Sequence, residues 1–215
     1  MKKFAIFGDS YSTYEGYIPN GYPFYYCPQG RPETAVTKMR VEETWWTRLS
    51  NVTNAELVLN NSWSGSTIGY TGYNNSDCSA SSSFIYRYRQ LKQEGLFDKN
   101  RIDTLFVFGG TNDSWSDAPL GELQYSDWEE RDLFQVLPAI CYFMHTLKQD
   151  LPTTRIIFLA NCDIKREIIE GMKKAGEHFQ VEVLQLNSIH KDCGHPTVQG
   201  MEEICAQTLQ FLNRN

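Results

Sequence analysis

Four clusters of small and polar residues carry the side chains able to do chemistry: Gly8-Asp9-Ser10, Asn60-Asn61-Ser62-Trp63-Ser64-Gly65, Gly109-Gly110-Thr111-Asn112-Asp113 and Asp192-Cys193-Gly194-His195-Pro196. Acyl transfer needs a nucleophile, a base to take its proton, a group to orient that base, and donors for the developing oxyanion. The clusters supply one of each. Ser10, on a tight turn, is the expected nucleophile and His195 the expected base. Asp192, just upstream of His195, is expected to accept the imidazole Nδ1 proton and leave Nε2 facing Ser10. The backbone N–H groups of Ser10 and Gly65 and the side-chain amide of Asn112 then make a three-donor oxyanion hole.

Each of these residues also has an ordinary structural use. A Gly-Asp-Ser turn commonly places Asp only to accept nearby backbone N–H groups, and Asp9 is assigned that bracing role. His190 is the rival base, but Asn187 rather than a carboxylate stands three residues before it. His145 and His178 fall on helical stretches, and Cys193 lacks a base of its own and is read as packing.

The elements that must position these clusters follow from the apolar pattern. Continuous apolar runs at 4–7, 57–59, 105–108, 156–159 and 181–186 predict strands covered on both faces. Residues 133–147 and 197–212 carry apolar positions at helical spacing, with a kink or break expected at Pro138. Five strands alternating with helices predict a parallel sheet in an α/β/α sandwich. Such a sheet binds ligands at the carboxyl ends of its strands, where the four clusters lie.

Two segments break the rhythm. Residues 11–41 include Tyr11, Tyr14, Tyr17, Tyr22, Phe24, Tyr25 and Tyr26 among several prolines, and residues 113–128 include Asp113, Trp115, Tyr125 and Trp128. Both leave the sheet directly from a chemistry-bearing cluster, so Tyr11, Asp113, Trp115 and Trp128 are the candidate substrate-binding residues. Aromatic faces can stack on sugar rings, and neither segment has an aliphatic run to hold a long acyl chain, which favours short-acyl esters of carbohydrates or other compact polar alcohols. The competing expectation is that these aromatics face inward and only tie the loops down.

Composition narrows the partners. The 215 residues suit one domain, 1–215, with long insertions at 11–41 and 113–128. Net charge is −6, and no Lys/Arg cluster builds the positive stripe that nucleic acid demands. The apolar run behind Lys2 and Lys3 is too short for an export signal, and no stretch is long enough to span a membrane. Six cysteines without a Cys-x-x-Cys pair fit reduced thiols in a cytoplasm, with a Cys27–Cys78 bridge the alternative in an oxidising compartment. The expected partner is a small-molecule ester; oligomeric state is not readable from the sequence.

Taken together and in this order, Gly8-Asp9-Ser10, Gly65, Gly110-Thr111-Asn112-Asp113 and Asp192-Cys193-Gly194-His195 resemble the four blocks of the SGNH hydrolases, also called GDSL esterases and lipases. The resemblance runs from residue 4 to about 212. It implies a flavodoxin-like α/β/α fold with strand order 2-1-3-4-5, and a Ser-His-Asp ester hydrolase built on Ser10, His195 and Asp192. No metal and no other cofactor is implied. Tyr11 replaces the Leu that often follows the nucleophile, and both aromatic loops exceed those of the smallest members, which bears on the substrate. Two other readings stay open: a non-catalytic carbohydrate-binding protein on the same scaffold, and a metallophosphoesterase, for which four histidines and no Asp-x-His after the first strand supply few ligands. A nucleotide-binding module would want Gly-x-Gly, and an α/β-hydrolase Gly-x-Ser-x-Gly; Ser12 breaks the latter at its last position.

Overall fold

The apolar runs form five strands: β1 (Lys3–Gly8), β2 (Glu56–Ser62), β3 (Thr104–Phe108), β4 (Arg155–Ala160) and β5 (Glu182–Gln185). In the computed structural model, which describes residues 1–30, 37–99 and 101–214, they pair in parallel in the order β2-β1-β3-β4-β5. Counted by these five strands, the order is the expected 2-1-3-4-5. The helices are α1 (Trp45–Thr53), α2 (Phe84–Gln93), α3 (Leu96–Lys99), α4 (Thr111–Trp115), α5 (Val136–Asp150), α6 (Arg166–Phe179) and α7 (Val198–Leu212).

Side chains alternate across a strand, so each run serves both faces of the sheet. Phe4, Ile6, Phe106, Phe108, Ile157 and Leu159 pack with Trp45 and Leu49 of α1 and with Met201 and Ile204 of α7. Ala5, Phe7, Leu105, Val107, Ile156 and Phe158 face the other way, against α2, α5 and α6. The result is three layers, with the carboxyl ends of β1, β2 and β3 at one edge.

Three local expectations change. Pro138 does not kink a helix, because α5 begins at Val136 and Pro138 lies in its first turn, where a missing N–H costs no intrahelical bond. Leu133 belongs instead to a separate 3₁₀ turn, Glu130–Phe134. The second insertion is not loop from its start, since Asp113 and Trp115 are residues of α4. Within the first insertion, Tyr26–Cys27 pairs with Thr37–Lys38 in a short parallel ladder, and Tyr11, Tyr14 and Tyr26 are buried; positions 31–36 lie outside the described residues. Cys27 and Cys78 are both buried and both free thiols. Among the described residues, no helix is long and apolar enough to cross a membrane.

Candidate active site

β1 ends at Gly8, and Asp9 caps the 3₁₀ turn Ser10–Ser12: its Oδ1 accepts the Tyr11 N–H at 3.0 Å. The Asp9 N–H donates to Phe108 at the end of β3, and the Thr13 hydroxyl donates to the Ser10 carbonyl at 2.9 Å. The turn is thereby fixed to the two central strands. Ser10 is only 2% exposed, and its Oγ lies 2.9 Å from His195 Nε2. The two residues that the sequence separates most widely in the site are thus in hydrogen-bond contact.

His195 follows a two-residue hairpin turn. Asp192 pairs with His195 across it, and both central residues take positive φ, Cys193 at 45° and Gly194 at 79°. This geometry corrects the expected role of Asp192. The turn delivers the Cys193 carbonyl to His195 Nδ1 at 3.2 Å, while the Asp192 carboxylate is solvent-exposed and interacts with the Cys193 thiol. A carbonyl only accepts, so Nδ1 carries the proton and Nε2 is left to accept from Ser10. The tautomer that acyl transfer needs is fixed without a carboxylate.

The turn is fastened from β1 and the first insertion: Tyr11 donates to the Gly194 carbonyl at 2.5 Å and Tyr26 to the Pro196 carbonyl at 2.9 Å. Three aromatic rings meet the imidazole. Tyr25 stacks on it at 3.5 Å and 8°, and Tyr11 and Trp115 approach at 5.6 Å, tilted and edge-on respectively. Burial pushes the His195 pKa below the ordinary 6.5; the Cys193 carbonyl opposes this and the nearby Lys191 cation adds to it.

Asn112, in the first turn of α4, has its side-chain amide held at both ends. Nδ2 donates one proton to the Ser66 carbonyl at 2.9 Å, and the Tyr73 hydroxyl donates to Oδ1 at 2.9 Å. An amide nitrogen has two protons, so one remains. Gly65 takes a φ of +84°, which a side chain would oppose, and neither its N–H nor that of Ser10 donates a hydrogen bond among the described residues. The three expected donors therefore remain available.

Beneath this surface lie three buried charges. Arg87 donates to the Gly8, Asn61 and Ser82 carbonyls, to Asn61 Oδ1 and to Ser66 Oγ, tying β1 and β2 to the segment that follows Gly65. Burial pushes its pKa down to about 9, so it stays charged at neutral pH. Asp113 accepts the Ile68 and Gly69 N–H groups, and burial raises its pKa to about 6 despite them. Asp9 is fully buried and its Oδ2 has no partner among the described residues; burial lifts its pKa to about 7, against the pull of the Tyr11 N–H.

The substrate-binding expectations divide. Trp115 is at the site and 37% exposed. Tyr11 is at the site but fully buried, spent on the His195 turn. Asp113 is buried and holds backbone, so it offers a substrate nothing. Trp128 packs on Tyr142, His145 and Phe179, on the α5–α6 side of the sheet, where it anchors its loop. Tyr14 is likewise turned inward, its hydroxyl on the Met39 carbonyl, while Tyr22 lies against Trp63. His190 pairs with Glu203 instead of approaching Ser10. Sequence reasoning did not single out Tyr25 or Tyr73 as site residues, since nothing distinguishes either within its Tyr-rich or Asn-rich neighbourhood. The Cys193 carbonyl had a signal, an x-Gly pair between two residues able to form a hairpin. No group of three or more His, Cys, Asp or Glu side chains able to hold a metal ion occurs among the described residues.

Comparison with known proteins places this fold in a family. The family model of the GDSL-like lipase/acylhydrolases matches residues 2–212. A GDSL-like lipase structure from Bacteroides ovatus is 37% identical with a TM-score of 0.90, covering 100% of this chain and 99% of its own. One from Bacteroides uniformis is 39% identical with a TM-score of 0.89, covering 100% and 96%. At 18% identity and a TM-score of 0.62, the acetyl xylan esterase Est2A of Butyrivibrio proteoclasticus shares the fold, over 99% of this chain and 63% of its own. Among curated proteins none matches the chain significantly.

Proposed function

The chain belongs to the GDSL-like lipase/acylhydrolase family and is an ester hydrolase, and from that premise we propose that it cleaves short-acyl esters of carbohydrates or similar polar alcohols through an acyl-enzyme on Ser10. The observation that carries the mechanism is the Ser10 Oγ–His195 Nε2 contact of 2.9 Å, with Nδ1 on an acceptor that fixes the tautomer. Ser10 Oγ attacks the ester carbonyl as its proton passes to Nε2. The oxyanion is received by the N–H groups of Ser10 and Gly65 and by the free amide proton of Asn112. Collapse expels the alcohol, which takes the proton from the imidazolium. Water, deprotonated by His195, then attacks the acyl-enzyme, and Ser10 recovers its proton as the acid leaves.

The substrate class rests on what rims the pair. Trp115 and Tyr73, 37% and 41% exposed, present aromatic faces beside polar groups. Est2A, named as an acetyl xylan esterase, shares the fold and points the same way. Initial rates on chromogenic acetyl, butyryl and octanoyl esters and on acetylated xylan test the proposal. Acetyl esters should be the best substrates, Ser10→Ala should lose about 10³-fold or more in kcat, and an organophosphate should label Ser10. Preference for octanoyl esters would overturn the substrate class. A pure protein that binds sugars and hydrolyses none of the panel would be a binding protein instead.

A further inference from the structure

Proton transfer from Ser10 turns His195 into a cation, and that cation needs stabilisation from its surroundings. In a Ser-His-Asp arrangement a carboxylate hydrogen-bonded to Nδ1 supplies it. Here Nδ1 meets a neutral carbonyl at 3.2 Å, a long contact, and the Asp192 side chain is exposed and turned to Cys193. The other charged group facing the ring makes matters worse. Lys191, its side chain 10% exposed, donates to Asn161 Oδ1 at 2.7 Å and pairs with Asp163, and its Nζ lies over the Tyr11 ring at 5.4 Å. Among the described residues, the ring is met by Ser10 and Tyr11 of the nucleophile turn, Tyr25 of the first insertion, Trp115 of α4 and the Cys193 carbonyl of the hairpin, with the Lys191 charge acting on it from nearby. Asp9 is buried under Ser10, with Oδ1 on the Tyr11 N–H.

What the imidazole does have is rings. The Tyr25 face lies parallel to it at 3.5 Å, within the distance at which an aromatic face attracts a cation, and Tyr11 and Trp115 close two further sides at 5.6 Å. Tyr25 is held independently of its ring: its N–H donates to Thr13 Oγ1 at 2.9 Å, and its carbonyl accepts the Thr37 N–H at 2.7 Å. The stack is therefore built by the backbone around the nucleophile turn.

We propose that an aromatic cage of Tyr25, Tyr11 and Trp115 stabilises the His195 imidazolium in place of a carboxylate, with Tyr25 the positioning residue that contributes most. The proposal rests on the reading of His195 as the base, but its first test does not require turnover. A stacked ring that favours the cation raises the imidazole pKa, so replacing it by an aliphatic side chain that keeps the ring covered should lower that pKa.

NMR titration of His195 in the resting protein should show the pKa of Tyr25→Leu lower by about one pH unit, with Tyr25→Phe near wild type and Asp192→Asn unmoved. In turnover of an acetyl ester, Tyr25→Leu should lose about tenfold in kcat, with the acid limb of kcat/KM moved down, while Tyr25→Phe restores the rate to within about threefold. Should Tyr25→Leu fail to fold, Tyr25→Met provides the same comparison. Asp192→Asn should cost less than about threefold, where loss of a true triad carboxylate costs about 10⁴. A rise in the His195 pKa of Tyr25→Leu, or a large kcat loss in Asp192→Asn, overturns the cage. Inertness of the wild type toward every ester would instead defeat the proposed function and leave the titration to judge the cage.

Discussion

Asp9 offers a test of how the nucleophile turn is held. Its carboxyl is fully buried, Oδ1 accepts one N–H, Oδ2 is unpartnered among the described residues, and burial lifts its pKa from 3.8 to about 7. A carboxyl that holds its proton more tightly when folded makes the protein most stable below the unfolded pKa, and that stability drains away as pH rises toward the folded value. The window is therefore about pH 4 to 7, with no further loss above it. At ~1.4 kcal/mol per tenfold change in the proton equilibrium, the full effect is about 4 kcal/mol, of which about 3 kcal/mol falls between pH 5 and 8. Coupling to Asp113 and Arg87 makes this an upper bound for Asp9 alone. Asp9→Asn keeps an acceptor for the Tyr11 N–H and removes the titration. Urea unfolding of both proteins at pH 5, 6, 7 and 8 should show the variant gaining on wild type by about 2–3 kcal/mol across that range. If the stability difference between the two proteins is independent of pH, or moves the other way, the account of a destabilising buried carboxylate is wrong.

Tyr73→Phe removes one hydrogen bond from the Asn112 amide at an exposed position, so kcat should fall by about fivefold to tenfold with KM and Tm unchanged. Trp115→Ala should raise KM for the preferred acetyl ester by about threefold to tenfold, whereas Trp128→Ala should leave KM alone and lower stability by about 1–2 kcal/mol, read as a fall in Tm. Gly194→Ala puts a Cβ 3.1 Å from the Trp115 ring at a φ of +79°, which should cost about 1–2 kcal/mol and displace the His195 turn, so that kcat falls along with Tm.

The sheet, and the edge of it on which the polar clusters fall, can be read from the order of residue types alone. Apolar runs long enough to be buried on both faces, separated by helical periodicity, leave little choice of architecture, and small polar clusters after those runs fall on the same sheet edge because parallel strands all end there. The Ser10–His195 pair was legible because each is a type that acyl transfer requires, standing beyond a strand end, and the two are in contact. The direction in which each side chain points came from folding. Asp192 has the right type and spacing, yet two positive φ values at Cys193 and Gly194 turn a carbonyl rather than its carboxylate toward the imidazole. Asp113 stands beside Asn112, but successive side chains of a helix point to different faces, so one reaches the site and the other is buried against backbone. Among the aromatics of the two insertions, composition cannot tell Tyr25, stacked on His195, from Tyr14, turned inward, or Trp115 from Trp128. Those choices are made by packing across residues far apart in the chain, and periodicity carries no information about them.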